Sequence, residues 1–500
     1  MSTIVEKLQQ LKNIKNDLKE KINAKGGSIT DTTPFSEYAG QVDNLSGGGG
    51  VALNATIEEY KLTGGYAVKA GDCVKCSYGN SLTVNSSNNS CYYEPSCVEL
   101  KPDKIFVAHS YGSTQQLYGT ILTVSSNGNI TPKTFCLNST DRSCYGSPCC
   151  VLLEENKILI LHAFSSSQHL YGTIVEIYGI DTTNINMAAT SSVCLDDTYE
   201  TVDGRPSCLL LEENKVFMTF EDGGSNGGST RLTSAILTIN GASISLTSRI
   251  IIDVKPSTAT EKERIAYPPT CLLLSNNKVF VAHSSSESRN GAELYGTIVT
   301  INGTSMSYKC NLLNAESNSC TGRPSCVLLN DGRVFITHPY KTYRNLHGTI
   351  VTINGTSATG VTHPIKSLSS ISGMQPSCVL LNDGRVFIGH RREPGTLDYL
   401  YHSIVSIDGD NMTSITEPFT TQPDFCRLEP CCATLSNGRV LILFGAVTLT
   451  LKAAVYSGKK VEKYRYQETA DVYNKIFGIA KTSGSVGDTI EVYVPNITNS

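Results

Sequence analysis

The sequence predicts a mainly β protein: a seven-bladed β-propeller with an N-terminal α-helical segment and a small β flank. Three observations carry this. The first is a repeat. Pro324-Ser325-Cys326-Val327-Leu328-Leu329-Asn330-Asp331-Gly332-Arg333-Val334-Phe335-Ile336-Thr337-His338 returns almost letter for letter at 376–390, and looser copies begin at Pro95, Pro148, Pro206, Pro269 and Pro430. A Cys follows each Pro by two residues (Cys97, Cys150, Cys208, Cys271, Cys326, Cys378, Cys432), and twelve residues later stands His109, His162, Phe220, His283, His338, His390 or Phe444. That spacing holds seven times while successive copies lie 52 to 63 residues apart, as in a repeat array with rigid units and elastic loops. The second observation is the content of each unit. It holds an apolar run, a polar turn, a second apolar run, then a third strand that ends in a hairpin signal such as Asn302-Gly303 or Asn354-Gly355. Four antiparallel strands per unit, repeated seven times, give a propeller rather than a solenoid of shorter rungs. The third is composition: 17% charged residues and 42 glycines suit a turn-rich β protein.

Taken in order, residues 1–46 form a helical oligomerisation or docking segment. Ile4, Leu8, Leu11, Leu18 and Ile22 follow a heptad-like spacing with Lys15 at the one polar seam position. This fits about three heptads of coiled coil, or an amphipathic helix lying on another surface. Thr33 and Pro34 predict the start of a short second helix with Phe35, Tyr38, Val42 and Leu45 on one face. Residues 47–50 are a glycine linker. Residues 51–94 read as a small β segment, 95–466 as the propeller and 467–500 as a β tail. Gly487-Asp488-Thr489-Ile490 echoes Gly71-Asp72-Cys73-Val74, so the two flanks are expected to form one β module. A strand at 461–466, or the segment near Val68, is expected to complete the last blade.

The first strands crowd the propeller axis, which explains a small, weakly polar Cys at a fixed place. The five equivalent histidines are expected to make a repeated structural hydrogen bond, since neighbouring blades stand too far apart for one ion to bind several of them. Cys73 and Cys76 form a lone CxxC that strand alternation explains as well as zinc. Cys91, Cys144 and Cys320 each precede a repeat Cys by six residues and are expected to stay free thiols. No metal site and no cofactor are expected. Short turns join the first and second strands and the third and fourth. The long, variable connections therefore share the other face, where recognition is expected. Tyr111, Tyr340, Tyr343, Arg344, Arg391 and Arg392 are the candidate contacts there, being residue types that anchor interfaces.

Several functions are disfavoured. A net charge of −4 argues against nucleic acid. No apolar run approaches the roughly 20 residues of a membrane-spanning helix, and Met1 to Gln10 lacks an apolar signal core. Gly-x-Ser-x-Gly, His-Glu-x-x-His and phosphate-loop motifs are absent, and no carboxylate pair stands out, so no enzyme is expected.

The first two strands of each unit are similar to those of kelch-type propellers. The glycine pair that ends the second kelch strand is replaced mostly by His, and the kelch Trp has no counterpart in a chain with no Trp. Leu11-Lys12-Asn13-Ile14-Lys15, Ile22-Asn23-Ala24-Lys25-Gly26, Phe35-Ser36-Glu37-Tyr38-Ala39 and the Gly47 to Gly50 linker resemble the N-terminal segment of structural proteins in tailed phages of Gram-positive bacteria. Residues 478–495 resemble a C-terminal β tail of similar phage proteins. The resemblance implies a virion protein of tail-fibre, receptor-binding or decoration type. It would join other virion proteins through residues 1–46, oligomerise, with a trimer favoured, and bind a glycan or protein on the host surface. A cell-wall-degrading tail enzyme is the remaining alternative.

Overall fold

Seven separate antiparallel sheets succeed one another along the chain in a computed structural model, each built on the order first-second-third-fourth strand, with an extra short strand in the second and third. It describes residues 4–24, 29–34, 38, 55–62, 70, 73–76, 81–85, 90–125, 128–164, 169–182, 184–195, 201–202, 205–223, 230–252, 264–275, 277–286, 292–341, 345–365, 375–392, 399–419, 426–446, 448–456, 460–463, 478–480, 483–485 and 489–495. The chain forms two compact units, Gly79–Tyr456 and the paired ends Met1–Tyr78 with Ser457–Ser500.

The larger unit is a seven-bladed β-propeller. Blade 1 comprises Ser96–Lys101, Lys104–Tyr111, Gln116–Val124 and Ile130–Asn138; blade 5 comprises Ser325–Leu328, Val334–Tyr340, Asn345–Asn354 and Ser357–Pro364. The second strand is the most buried, as Val334–Tyr340 is buried along its whole length. Its side chains enter the cores on both sides of the sheet. Phe106, Phe280 and Phe335 each point at the glycine of the Gly-Thr-Ile run on the third strand. A Cβ on Gly348 would stand 2.7 Å from Phe335, so glycine there makes room for the ring. In blades 3 to 6 the fourth strand comes after a two-residue hairpin. Asn302 pairs with Ser305, so the loop is Gly303-Thr304, and Gly303 carries the positive φ of 63°. That is glycine first in the turn, the type II′ pattern, rather than Asn-Gly at its centre.

The ring closes differently from the sequence expectation. Blade 7 takes Cys431–Thr434, Val440–Gly445 and Leu451–Tyr456, and its fourth strand is Leu82–Thr83 from before blade 1. Leu82 pairs with Ala453, the Val84 amide donates to the Leu451 carbonyl at 2.9 Å, and buried Val84 and Cys91 fill the core between blades 7 and 1. Lys460–Lys463, in the stretch expected to do this, belongs instead to the other unit. The stretch near Val68 lies outside the described residues. The propeller therefore gains residues 79–94 and gives up 457–466 relative to the boundaries read from the sequence.

In the smaller unit both flanks build one closed five-stranded barrel from Ala55–Leu62, Lys460–Lys463, Cys73–Cys76, Gly478–Ala480 and Thr489–Pro495. The one helix of the described residues, Ile4–Ala24, forms where the apolar spacing puts it. The C-terminal end of its stripe packs on the returning chain. Leu18 and buried Ile22 meet Ile29 and Tyr38, and Lys15 sits 5.9 Å above the Tyr38 ring. Asn23 pins the return by bonding both the amide and the carbonyl of Ile29 at 2.6 and 2.7 Å. This local clasp accounts for Lys15, Leu18 and Ile22 within a single chain. The expected second helix lies outside the described residues except for Tyr38.

Candidate functional site: the axial cavity

A cavity of about 200 Å³ opens where the first strands begin. Glu94, Ser96, Arg205, Arg323, Gln375 and Glu429 line it, with Cys97, Cys149, Cys378 and Cys431 deeper along the strands. Because these come from six of the seven blades, the cavity is on the propeller axis. It opens on the face of the long connections, since the chain enters every first strand from that side.

Its wall derives from the repeat. The residue before each repeat Pro is Glu94, Ser147, Arg205, Pro268, Arg323, Gln375 or Glu429. Proline keeps its predecessor extended, and this one variable position lines the cavity in five of the seven blades. The position after the proline stitches the ring. Ser96 Oγ accepts the Cys150 amide, Ser207 that of Cys271, Ser325 that of Cys378 and Ser377 that of Cys432, all at 3.0–3.1 Å. Each first strand is the inner edge of its sheet, and the hydroxyl of the preceding blade satisfies an edge N–H that no strand pairs. Blades 2 and 7 hold cysteine at the stitching position. Cys149 Sγ lies 3.3 Å from Cys208 Sγ, and Cys431 Sγ lies 3.7 Å from Cys97 Sγ. Hydrogen bonding from the partner thiol, aided by the Arg205 charge, pulls the Cys149 and Cys431 thiols below the ordinary thiol range.

Charge is concentrated at the mouth. Arg205 stands 4.0 Å from Glu94, and Arg391 stands 3.5 Å from Glu429 while donating to the Arg427 carbonyl at 2.8 Å. Glu94 and Glu429 both line the cavity, and each carries a carboxyl toward the same mouth. Burial, then the Glu94 charge, pushes the Glu429 carboxyl up to about 8, against the pull of Arg391. Burial, then Arg205, lowers Arg323 to about 10. Beside Glu94, Tyr92, Tyr93 and Tyr145 make an aromatic step with ring centroids 5.2 and 6.2 Å apart, and Arg142 caps Tyr145 at 5.8 Å.

Of the residues expected to bind, Arg391 belongs to this cluster. Tyr111 closes the second strand of blade 1 and stacks on Tyr118 at 4.4 Å. Tyr340 is buried, stacks on His347 at 4.1 Å and donates its hydroxyl to Glu316, so much of it is committed to packing. Arg392 ends its strand opposite Tyr399. Tyr343 and Arg344 lie outside the described residues. Glu94, Arg205, Arg323, Gln375 and Glu429 were not anticipated. The signal for them was there, as a variable, often charged position beside each repeat proline. The carboxylate pair was hidden because 335 residues separate Glu94 from Glu429 in the chain.

The five histidines do make one repeated hydrogen bond. His109, His162, His283 and His338 each share Nε2 with the Thr hydroxyl of the third strand at 2.8–2.9 Å, and His390 with Ser403 at 3.0 Å. That hydroxyl passes the contact outward, to Thr134, Cys310, Thr362 or Thr416 of the fourth strand and, in blade 2, to Ser192 just ahead of Val193–Cys194. Cys91, Cys144 and Cys320 are buried free thiols that donate to the carbonyl two residues on, and Cys426 repeats the arrangement.

No family model matches the chain, and no curated protein matches it. Solved structures do. A protein of unknown function from Dyadobacter fermentans is similar at 13% identity, with 76% of this chain and 98% of that one covered and a TM-score of 0.43. The leech intramolecular trans-sialidase is similar at 14% identity over 78% of this chain and 70% of its own, with a TM-score of 0.41. The Penicillium chrysogenum α-L-arabinanase is similar at 12% identity over 78% and 98%, also at 0.41. Such distant likenesses say nothing about chemistry, and the propeller reading stands on the chain's own seven sheets.

Proposed function

We propose that the chain is a structural protein of a phage particle whose propeller recognises a molecule on the host cell surface. The observation that carries the recognition half is the axial cavity, where a rigid seven-sheet scaffold presents a variable polar residue from each of five blades on the looped face. The particle half rests on the N-terminal and C-terminal resemblances. On this reading residues 1–46 attach the protein to other virion proteins or to further copies of itself, with a trimer as the favoured arrangement and a coiled coil over the part of helix Ile4–Ala24 that precedes the clasp. Many copies per particle turn weak contacts into firm attachment. Purified full-length protein is expected to block adsorption of the phage to its host, and microscopy of the particle to place it at the tail. Unchanged adsorption at saturating protein would remove the receptor role and leave a decoration protein.

The Glu94–Glu429 pair favours a second reading, a wall-degrading hydrolase. The pair is poorly spaced for it. Two-carboxyl glycoside hydrolysis needs carboxyls about 5 Å or more apart, and Glu94 acts on Glu429 from close by, its charge helping to push that carboxyl up. Zymography on host cell walls separates the readings: a cleared band that Glu429→Gln abolishes would establish the enzyme.

A further inference from the structure

The cavity mouth holds more positive charge than its own carboxyls answer. Arg205, Arg323 and Arg391 gather there around Glu94 and Glu429. Glu429 is held protonated by burial at neutral pH, so the carboxyls do not balance three guanidiniums, and the Cys149 and Cys431 thiols that Arg205 pulls down lie deeper along the strands. Arg391 is engaged by Glu429 and by the Arg427 carbonyl. Arg205 reaches Glu94 only at 4.0 Å. Arg323 pairs with no carboxylate among the described residues. The Nε–H groups of both Arg205 and Arg323 are buried without an acceptor, and Arg205 is only 9% exposed. Proteins seldom bury guanidiniums with donors unanswered unless something else supplies the acceptor. The planar fork of arginine matches a carboxylate or phosphoryl oxygen pair.

We propose that the axial cavity binds the oxyanion of an acidic glycan, with Arg205 and Arg323 as the anion clamp and the Glu94–Glu429 pair beside it for a sugar hydroxyl. This deepens the recognition reading above and rests on it for the glycan. About 200 Å³ has room for the acidic group and its nearest carbons. The carboxyl pair also sets a pH response. Glu429 faces Glu94, Arg391, Arg205, Arg323 and the thiols of Cys97, Cys149 and Cys431. As pH rises past neutrality Glu429 loses its proton, and its negative charge confronts the ligand.

Calorimetry on the full-length chain at pH 6.5 tests this with glucuronic acid, glycerol 3-phosphate and uncharged glucose. An acidic probe is expected to bind and glucose not to. The tighter acid tells whether the natural group is a sugar carboxylate or a polyol phosphate. Arg323→Gln and Arg205→Gln are each expected to weaken binding at least tenfold with an unchanged circular dichroism spectrum. Arg385→Gln, in a turn on the opposite face, is expected to leave it intact. Affinity is expected to fall severalfold from pH 7 to 9, and Glu429→Gln to abolish that fall. If neither acid binds while the protein still adsorbs to cells, the anion clamp is wrong and recognition stands. If acids bind equally well to both arginine variants, the clamp is wrong. If acids bind through the arginines but cells are not bound, the clamp stands and the recognition reading falls.

Discussion

His338 holds three strands together through one side chain. Its ring is fully buried, its Nε2 meets Thr349, and Thr349 meets Thr362, so one imidazole ties the second, third and fourth strands of its blade. Blades 3 and 7 place Phe220 and Phe444 there, so the site tolerates a ring without the bond. His338→Ala is expected to lower stability by about 2–4 kcal/mol, for the cavity and the orphaned hydroxyl together. His338→Phe should cost less, and thermal melting of the two variants measures the difference. Burial also lowers the histidine pKa values, to about 4 for His109 and His162 and about 3 for His283 and His338. The direction of the pH effect comes from comparing the two states. The unfolded chain takes up protons near pH 6.5 while the folded one refuses them until about pH 3–4. The stability these groups confer is complete above pH 6.5 and drains away as pH falls through the folded values, by roughly 3–5 kcal/mol for each histidine. Melting temperature should therefore drop steeply from pH 7 to 4, and less steeply in His162→Phe. A variant that melts with the wild-type pH profile would show that the imidazole is not the group responsible.

At the scale of elements, the inner strands are the weak place of the design. Ser325–Leu328 is short and has no strand on its inner edge. The serine stitches bridge that gap from blade to blade. Ser325→Ala combined with Ser377→Ala removes acceptors for the Cys378 and Cys432 amides and is expected to cost about 1–2 kcal/mol per site. Hydrogen exchange at those two amides should quicken before the second strands respond. Much of this was legible. Alternating and continuous apolar runs gave strand positions, and glycine marked the hairpins. The stitching serine was in plain view beside the repeat prolines, yet its partner lies a whole blade away, so no local pattern reveals the bond. The N-terminal stripe was legible as a helix, but its partner was not: Leu18 and Ile22 meet Ile29 and Tyr38 of the same segment.

For the whole molecule, closure is the decisive event. Leu82–Thr83 gives blade 7 its outer strand, and Val84 and Cys91 seal the core behind it. Leu82→Pro or Thr83→Pro is expected to strip backbone pairing from this short strand. The result should be a melting temperature several degrees lower, with protease cleavage near blade 7 ahead of the other blades. Even digestion across all blades would mean that the clasp does not limit opening. Closure also makes the site. It brings blade 1 against blade 7, and with them Glu94 against Glu429 and Cys97 against Cys431.

By itself the sequence determined the blade count, the strand order and the repeated histidine bond, because these depend on spacing within about fifty residues. Tertiary structure alone decided which strand closes the ring and which side chains meet on the axis. Those contacts join positions hundreds of residues apart, and only the accumulated rotation of seven sheets brings them within bonding distance.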